Sequence, residues 1–157
     1  MFSNKHVVVA LLVAPLLAVL AWFAVGYWFG ERPQPAVPGG SYPLLEKSNC
    51  RYSSGECSLE NGSLQLTMTA RASNAGTRVE LVSATSLAGA AVGVRGQSGA
   101  SPPVVMQSID TAGYRWAADR LSVVPGEDRL LIVVQSQGSR WYGEAQTAFM
   151  RPDVPER

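Results

Sequence analysis

The sequence predicts an all-β fold on a membrane stalk: an N-terminal transmembrane helix followed by an Ig-like antiparallel β-sandwich of about seven strands. Three observations predict it. Residues 7–29 carry no charged side chain. From residue 59 onward, apolar residues recur with a period of two rather than 3.6. Turn signals punctuate the same region at sandwich-like spacing, roughly every 8–12 residues. The 157 residues divide accordingly into a cytoplasmic tail (1–6), a membrane helix (7–29), a proline-rich linker (30–48), a sandwich domain (49–150) and a C-terminal tail (151–157).

At about 1.5 Å rise per residue, Val7 to Phe29 spans roughly 34 Å as a helix, enough to cross a hydrocarbon core with some tilt. Pro15 lies inside the run, which membrane helices tolerate better than soluble ones. Trp22, Phe23, Tyr27, Trp28 and Phe29 gather at its far end, where amphipathic rings favour the headgroup region. The competing reading is a cleaved signal peptide at Ala24-Val25-Gly26, but the run is long and aromatic residues crowd that site. An uncleaved anchor is expected, embedded in the bilayer through residues 7–29. Basic residues nearly tie across the span, with Lys5 before it and Arg32 and Lys47 after it. The short tail and the cysteine pair break the tie. They place the amino terminus in the cytoplasm and the domain in an oxidising compartment, as for a bacterial inner-membrane protein facing the periplasm.

Pro33, Pro35, Pro38 and Pro43, with Gly39-Gly40 among them, describe an extended, semi-rigid spacer. In the domain, Leu64, Leu66, Met68 and Ala70 alternate with Gln65, Thr67, Thr69 and Arg71, the pattern of a half-buried strand. Further strands are expected at 77–85, 90–95, 104–110, 114–124, 129–137 and 140–149. Gly96 to Pro103 reads as a loop, and Asn74-Ala75-Gly76, Thr111-Ala112-Gly113, Pro125-Gly126 and Gly138-Ser139 read as turns. Leu130 to Val134 is apolar on both faces and belongs in a sheet centre. Ala117 to Leu121 has the alternative of a helical turn. Asn61-Gly62-Ser63 matches a glycosylation sequon but reads as a tight turn before a strand.

Cys50 and Cys57 enclose Ser53-Ser54-Gly55 and are expected to form a short-loop disulfide, stabilising by roughly 2.5 kcal/mol on a chain-entropy argument. Their spacing is not that of a catalytic dithiol, in which two residues intervene at a helix start. It also cannot supply the inter-sheet bridge of an antibody domain.

Composition excludes several functions. Between Glu31 and Arg157 the chain carries 12 basic and 12 acidic residues. That balance suits neither a nucleic-acid binder nor a polybasic membrane-surface protein. The single histidine, His6, precedes the apolar run. Ser-His and Cys-His catalysis and histidine-ligated metals are therefore excluded for the exported part. Of the acids Asp110, Asp119, Glu127 and Asp128, Asp110 precedes a turn and Glu127-Asp128 follows Pro125-Gly126, where acids favour turns, and a domain this small offers little depth for a sugar cleft. Lys47-Ser48 lies in an approach segment that gives a catalytic lysine no burial. Met68, Met106 and Met150 offer thioethers for Cu(I), but core packing explains them as well. No catalytic residue, metal or cofactor is expected.

The best interaction candidate is Arg140, Trp141 and Tyr142 with Tyr114, a composition enriched at protein interfaces. In strand alternation only one of Trp141 and Tyr142 faces the core, which leaves the other exposed. The layout, with Tyr114-Arg115-Trp116, Leu121, Pro125-Gly126, Leu130, Ile132, Gly138 and Trp141-Tyr142, resembles FixH/CcoH-like single-span inner-membrane proteins, and more loosely YtkA-like exported domains. The resemblance covers about 30 residues and implies a small β-sandwich outside the membrane. It also implies a role in assembling a copper-haem oxidase, near a copper-transporting ATPase. The chain lacks the family's segment after the span, and its cysteine loop is not a family feature. The expected function is a non-enzymatic, membrane-anchored accessory or assembly factor that docks on an integral membrane complex. Two alternatives stand beside it: a copper or redox carrier using Cys50 and Cys57, and a sandwich binding cell-wall ligands.

Overall fold

A computed structural model describes residues 4–29 and 36–150. Helix α1 (Lys5–Phe29) is one continuous helix with Pro15 inside it. Its apolar residues form no amphipathic stripe, and from Lys5 to Trp28 it is long and apolar enough to cross a membrane. A helix that is hydrophobic all round suits lipid rather than a water-facing surface.

The second unit is a two-sheet sandwich. In chain order its strands are β1 (Ser41–Pro43), β2 (Leu45–Glu46), β3 (Cys57–Asn61), β4 (Leu64–Ser73), β5 (Gly76–Ser83), β6 (Gly89–Gly96), β7 (Gly99–Ala100), β8 (Val104–Val105), β9 (Gln107–Ser108), β10 (Arg115–Leu121), β11 (Arg129–Ser136) and β12 (Ser139–Gln146). A first sheet runs β1-β12-β11-β6-β7, with β8 also on β6, and a second runs β2-β3-β4-β5-β10-β9. Seven strands, β3 to β6 and β10 to β12, have five or more residues. Pairing is antiparallel except for β1, which lies parallel to β12.

Inward residues follow the predicted alternation. Leu64, Leu66 and Met68 on β4, Val79 and Leu81 on β5, Val92 and Val94 on β6, and Leu130, Ile132 and Val134 on β11 make the wall between the sheets. Leu59, Leu121, Trp141, Ala145 and Phe149 complete it. Burying a large apolar side chain contributes about 1.5–3 kcal/mol before chain entropy is subtracted, so these layers hold the fold.

Strand order departs from an immunoglobulin constant domain. There the third strand crosses to the other sheet, whereas here β3, β4 and β5 form one meander and the crossing comes with β6. The helical-turn alternative at 117–121 is not seen. The segment is a strand with a register shift after Ala118, where Arg120 takes φ 61° and bulges.

Three expectations on element boundaries change. Ser41–Pro43 and Leu45–Glu46, read as linker, are edge strands of the first and second sheets. Pro43 is tolerated because an edge strand leaves one side of its backbone without a ladder. Residues 104–110, read as one strand, divide at Met106: β8 pairs with the first sheet and β9 with the second. Met106 turns inward at 3% exposure, so the chain changes sheets about a buried side chain. Gly99–Ala100, read as loop, closes a hairpin on β6, and β3 was not among the expected strands.

Candidate protein-docking face

The disulfide forms between Cys50 and Cys57, and both residues are fully buried. Around it Asn49 donates from Nδ2 to Ser58 Oγ, while its Oδ1 accepts from Ser58 N. Gly55 N donates to Phe149 O, which ties the loop to the C-terminal end of the core. Met68, Met106 and Met150 are buried core residues. Among the described residues, no three His, Cys, Asp or Glu side chains converge as metal ligands would.

The two outer sheet faces differ in kind. On the second sheet, Ser58, Gln65, Thr67, Thr69 and Arg71 share the outside with an ion-pair network, and the exposed apolar residues there, Leu45 and Val82, stand singly among polar neighbours. Arg78 donates to Glu80 at 2.9 Å and to Asp119 at 2.8 Å, and Arg115 lies 3.9 Å from Glu80. Hydrogen bonding to Glu80, then to Asp119, raises the Arg78 pKa above its ordinary value, so this guanidinium stays charged and neutralised. An open groove of about 460 Å³ beside Arg78, Asp119 and Arg120 is lined on its other side by Val104 and Val105 of β8, so it lies where edges of the two sheets meet.

The first sheet's outside is different. Register aligns Pro43, Tyr142, Val133, Ala91 and Val105 as neighbours on β1, β12, β11, β6 and β8, one apolar row from edge to edge. Val105 is 75% exposed, Tyr142 50% and Val133 45%. One step along, Leu131 lies over Gly93, where a Cβ would sit 3.7 Å from it. Arg140 and Gln135 border the row on one side. On the other, Glu144 is shared by Arg95 at 2.6 Å and Arg129 at 3.8 Å. Exposed apolar residues are ordinary one at a time, but a contiguous set rimmed by polar groups marks an interaction surface.

The four residues picked from sequence therefore separate. Arg140 and Tyr142, two apart on β12, share the outer face. Trp141 points inward, 6% exposed, with its ring 5.0 Å from that of Tyr42. Tyr114 precedes β10 on the other sheet, where its backbone oxygen accepts from Ser83 N. Pro43, Ala91, Val105 and Val133 were not picked. Only Val133 has a signal in the sequence, since Leu130–Val134 is apolar on both faces, a pattern that here leaves Val133 on an open surface.

No protein-family model, curated protein or solved structure matches the chain.

Proposed function

We propose that the protein is a non-enzymatic, membrane-anchored accessory or assembly factor that acts by docking its sandwich on an integral membrane complex. The carrying observation is the contrast between the outer faces: the second sheet's is ion-paired, with Leu45 and Val82 exposed only singly, and the first sheet's holds a contiguous exposed apolar row bordered by arginines. A single anchor adds mechanism, because confinement to the membrane plane raises the domain's effective concentration near membrane partners, and a modest contact then suffices. The reading puts the amino terminus in the cytoplasm and the sandwich in the bacterial periplasm, where the Cys50–Cys57 disulfide is favoured. The setting to test first is respiratory-oxidase assembly.

The chain, tagged at Arg157 and expressed at native level, is purified from mild-detergent membranes and its partners are identified by mass spectrometry. A reproducible, near-stoichiometric membrane complex is expected. Recovery of the chain alone overturns the docking reading, and a complex from wall synthesis or secretion moves it to another envelope machine.

A further inference from the structure

The first sheet's outer face carries three arginines, Arg95, Arg129 and Arg140, against one glutamate, Glu144. Glu144 is shared between two of them, and Arg140 has no ion-pair partner among the described residues. We infer that this face receives a surface of a membrane-protein partner with an apolar centre and a carboxylate rim. The inference rests on the docking reading above and adds the face and the chemistry of its partner.

Two arguments select that occupant. The first is size. Three eight-residue strands, β6, β11 and β12, with the short β1, β7 and β8 beside them, at about 4.8 Å between strands and about 3.4 Å per residue, give a face of roughly 500 Å². A stable interface covers about 800 Å² per partner, so a partner that covers the apolar row also covers the arginine rim. The second is charge. Two copies of this chain meeting face to face would set six arginines against two glutamates, and like charges across an interface are strongly unfavourable. A rim of Asp and Glu would satisfy Arg140 and the half-satisfied Arg95–Arg129 pair, with arginine's planar fork suited to carboxylates.

The test uses the full chain in its native membranes, with a photoreactive benzophenone amino acid at Val133 and, as a control, at Gln65 on the outside of the second sheet. Adducts from position 133 to a membrane protein, mapping to a segment rich in Asp and Glu, are expected, with none from position 65. Val133→Asp and Arg140→Glu should each lower the co-purified partner about tenfold or more. Loss of the partner at about 0.5 M salt, where surface charges are screened, should accompany this. Arg140→Glu leaves the apolar row intact, and Tyr142→Lys repeats the apolar test on another strand should Val133→Asp fail to accumulate. Adducts between copies of the chain, adducts to lipid alone, or equal yields from 65 and 133 overturn the inference. Tighter binding by Arg140→Glu overturns the acidic rim. Retention of the partner by all three variants removes the face assignment but leaves the docking reading standing, whereas no partner for the unaltered chain removes both.

Discussion

Trp141 bears a penalty its neighbours escape. Its indole lies buried against Tyr42, yet Nε1 is the one buried side-chain polar atom among the described residues with no hydrogen-bond partner. An unmade buried hydrogen bond costs about 1–3 kcal/mol, so its aromatic packing must outweigh that. Trp141→Phe keeps a ring beside Tyr42 and removes the donor. Denaturation of the full chain in detergent, followed by far-UV circular dichroism, should show it as stable as the parent or slightly more so. Trp141→Ala should lose about 3–5 kcal/mol, and a Phe variant as damaged as the Ala variant would contradict this account. Gly76 is a second sensitive position. It takes φ +115°, and an added Cβ would lie 2.9 Å from Arg120 Cα, where the bulge in β10 presses on the hairpin. Gly76→Ala should cost about 1–3 kcal/mol by the same measurement, through strain rather than lost burial. Neither residue announces its role in the sequence. Alternation shows that one of Trp141 and Tyr142 faces inward, and register against β11, where Trp141 opposes buried Val134 and Tyr142 opposes exposed Val133, decides which.

Glu46 joins the two sheets. It sits on β2 of the second sheet, and its carboxylate accepts from Gln146 N and Gln146 Nε2 on β12 of the first. Arg51 Nε adds a weaker contact at 3.4 Å. Glu46→Ala should therefore speed hydrogen exchange at the Gln146 amide and lower stability by about 1–3 kcal/mol, with little change at β4 and β5. The disulfide acts on the adjoining loop: replacing both cysteines with serine should cost roughly 2.5 kcal/mol without abolishing the fold. Unchanged stability would show that the bridge does no structural work. The contrast between long and short strands explains what was legible. β5, β11 and β12 alternate buried and less buried residues along eight positions, and β4 does so from Leu64 to Met68, so their alternation is written in the sequence. β1, β2, β7, β8 and β9 have only two or three residues, too few for a period. They form because a neighbouring edge is there to pair with. The docking row was illegible for a related reason, since its five members come from five strands and only register makes them neighbours.

For the whole molecule, the helix and the sandwich solve different solvent problems. Lys5 to Trp28 meets the requirement for a span by length and composition, and the sandwich needs no lipid to bury its core. The protein should stay with membranes through alkaline carbonate washing and show the full-length mass. A soluble product beginning near Tyr27 would mean that the segment is a cleaved signal instead. The disulfide, the sandwich and the apolar helix were each readable from sequence, because each rests on a local pattern.

The pairing of β1 with β12 joins residues almost a hundred positions apart. Such closure is entropically costly and slow to search. During synthesis the meander β3–β4–β5 can assemble early from hairpins, but the first sheet cannot finish until β12 has emerged. Until then β11, with its Leu, Ile and Val, exposes a bare edge able to pair with the wrong chain. Maturation of this protein is thus gated by its last strand. A chain stalled before residue 139 would lack β12 and leave β1 without its partner, a substrate for chaperones and proteases rather than a weaker version of the finished domain.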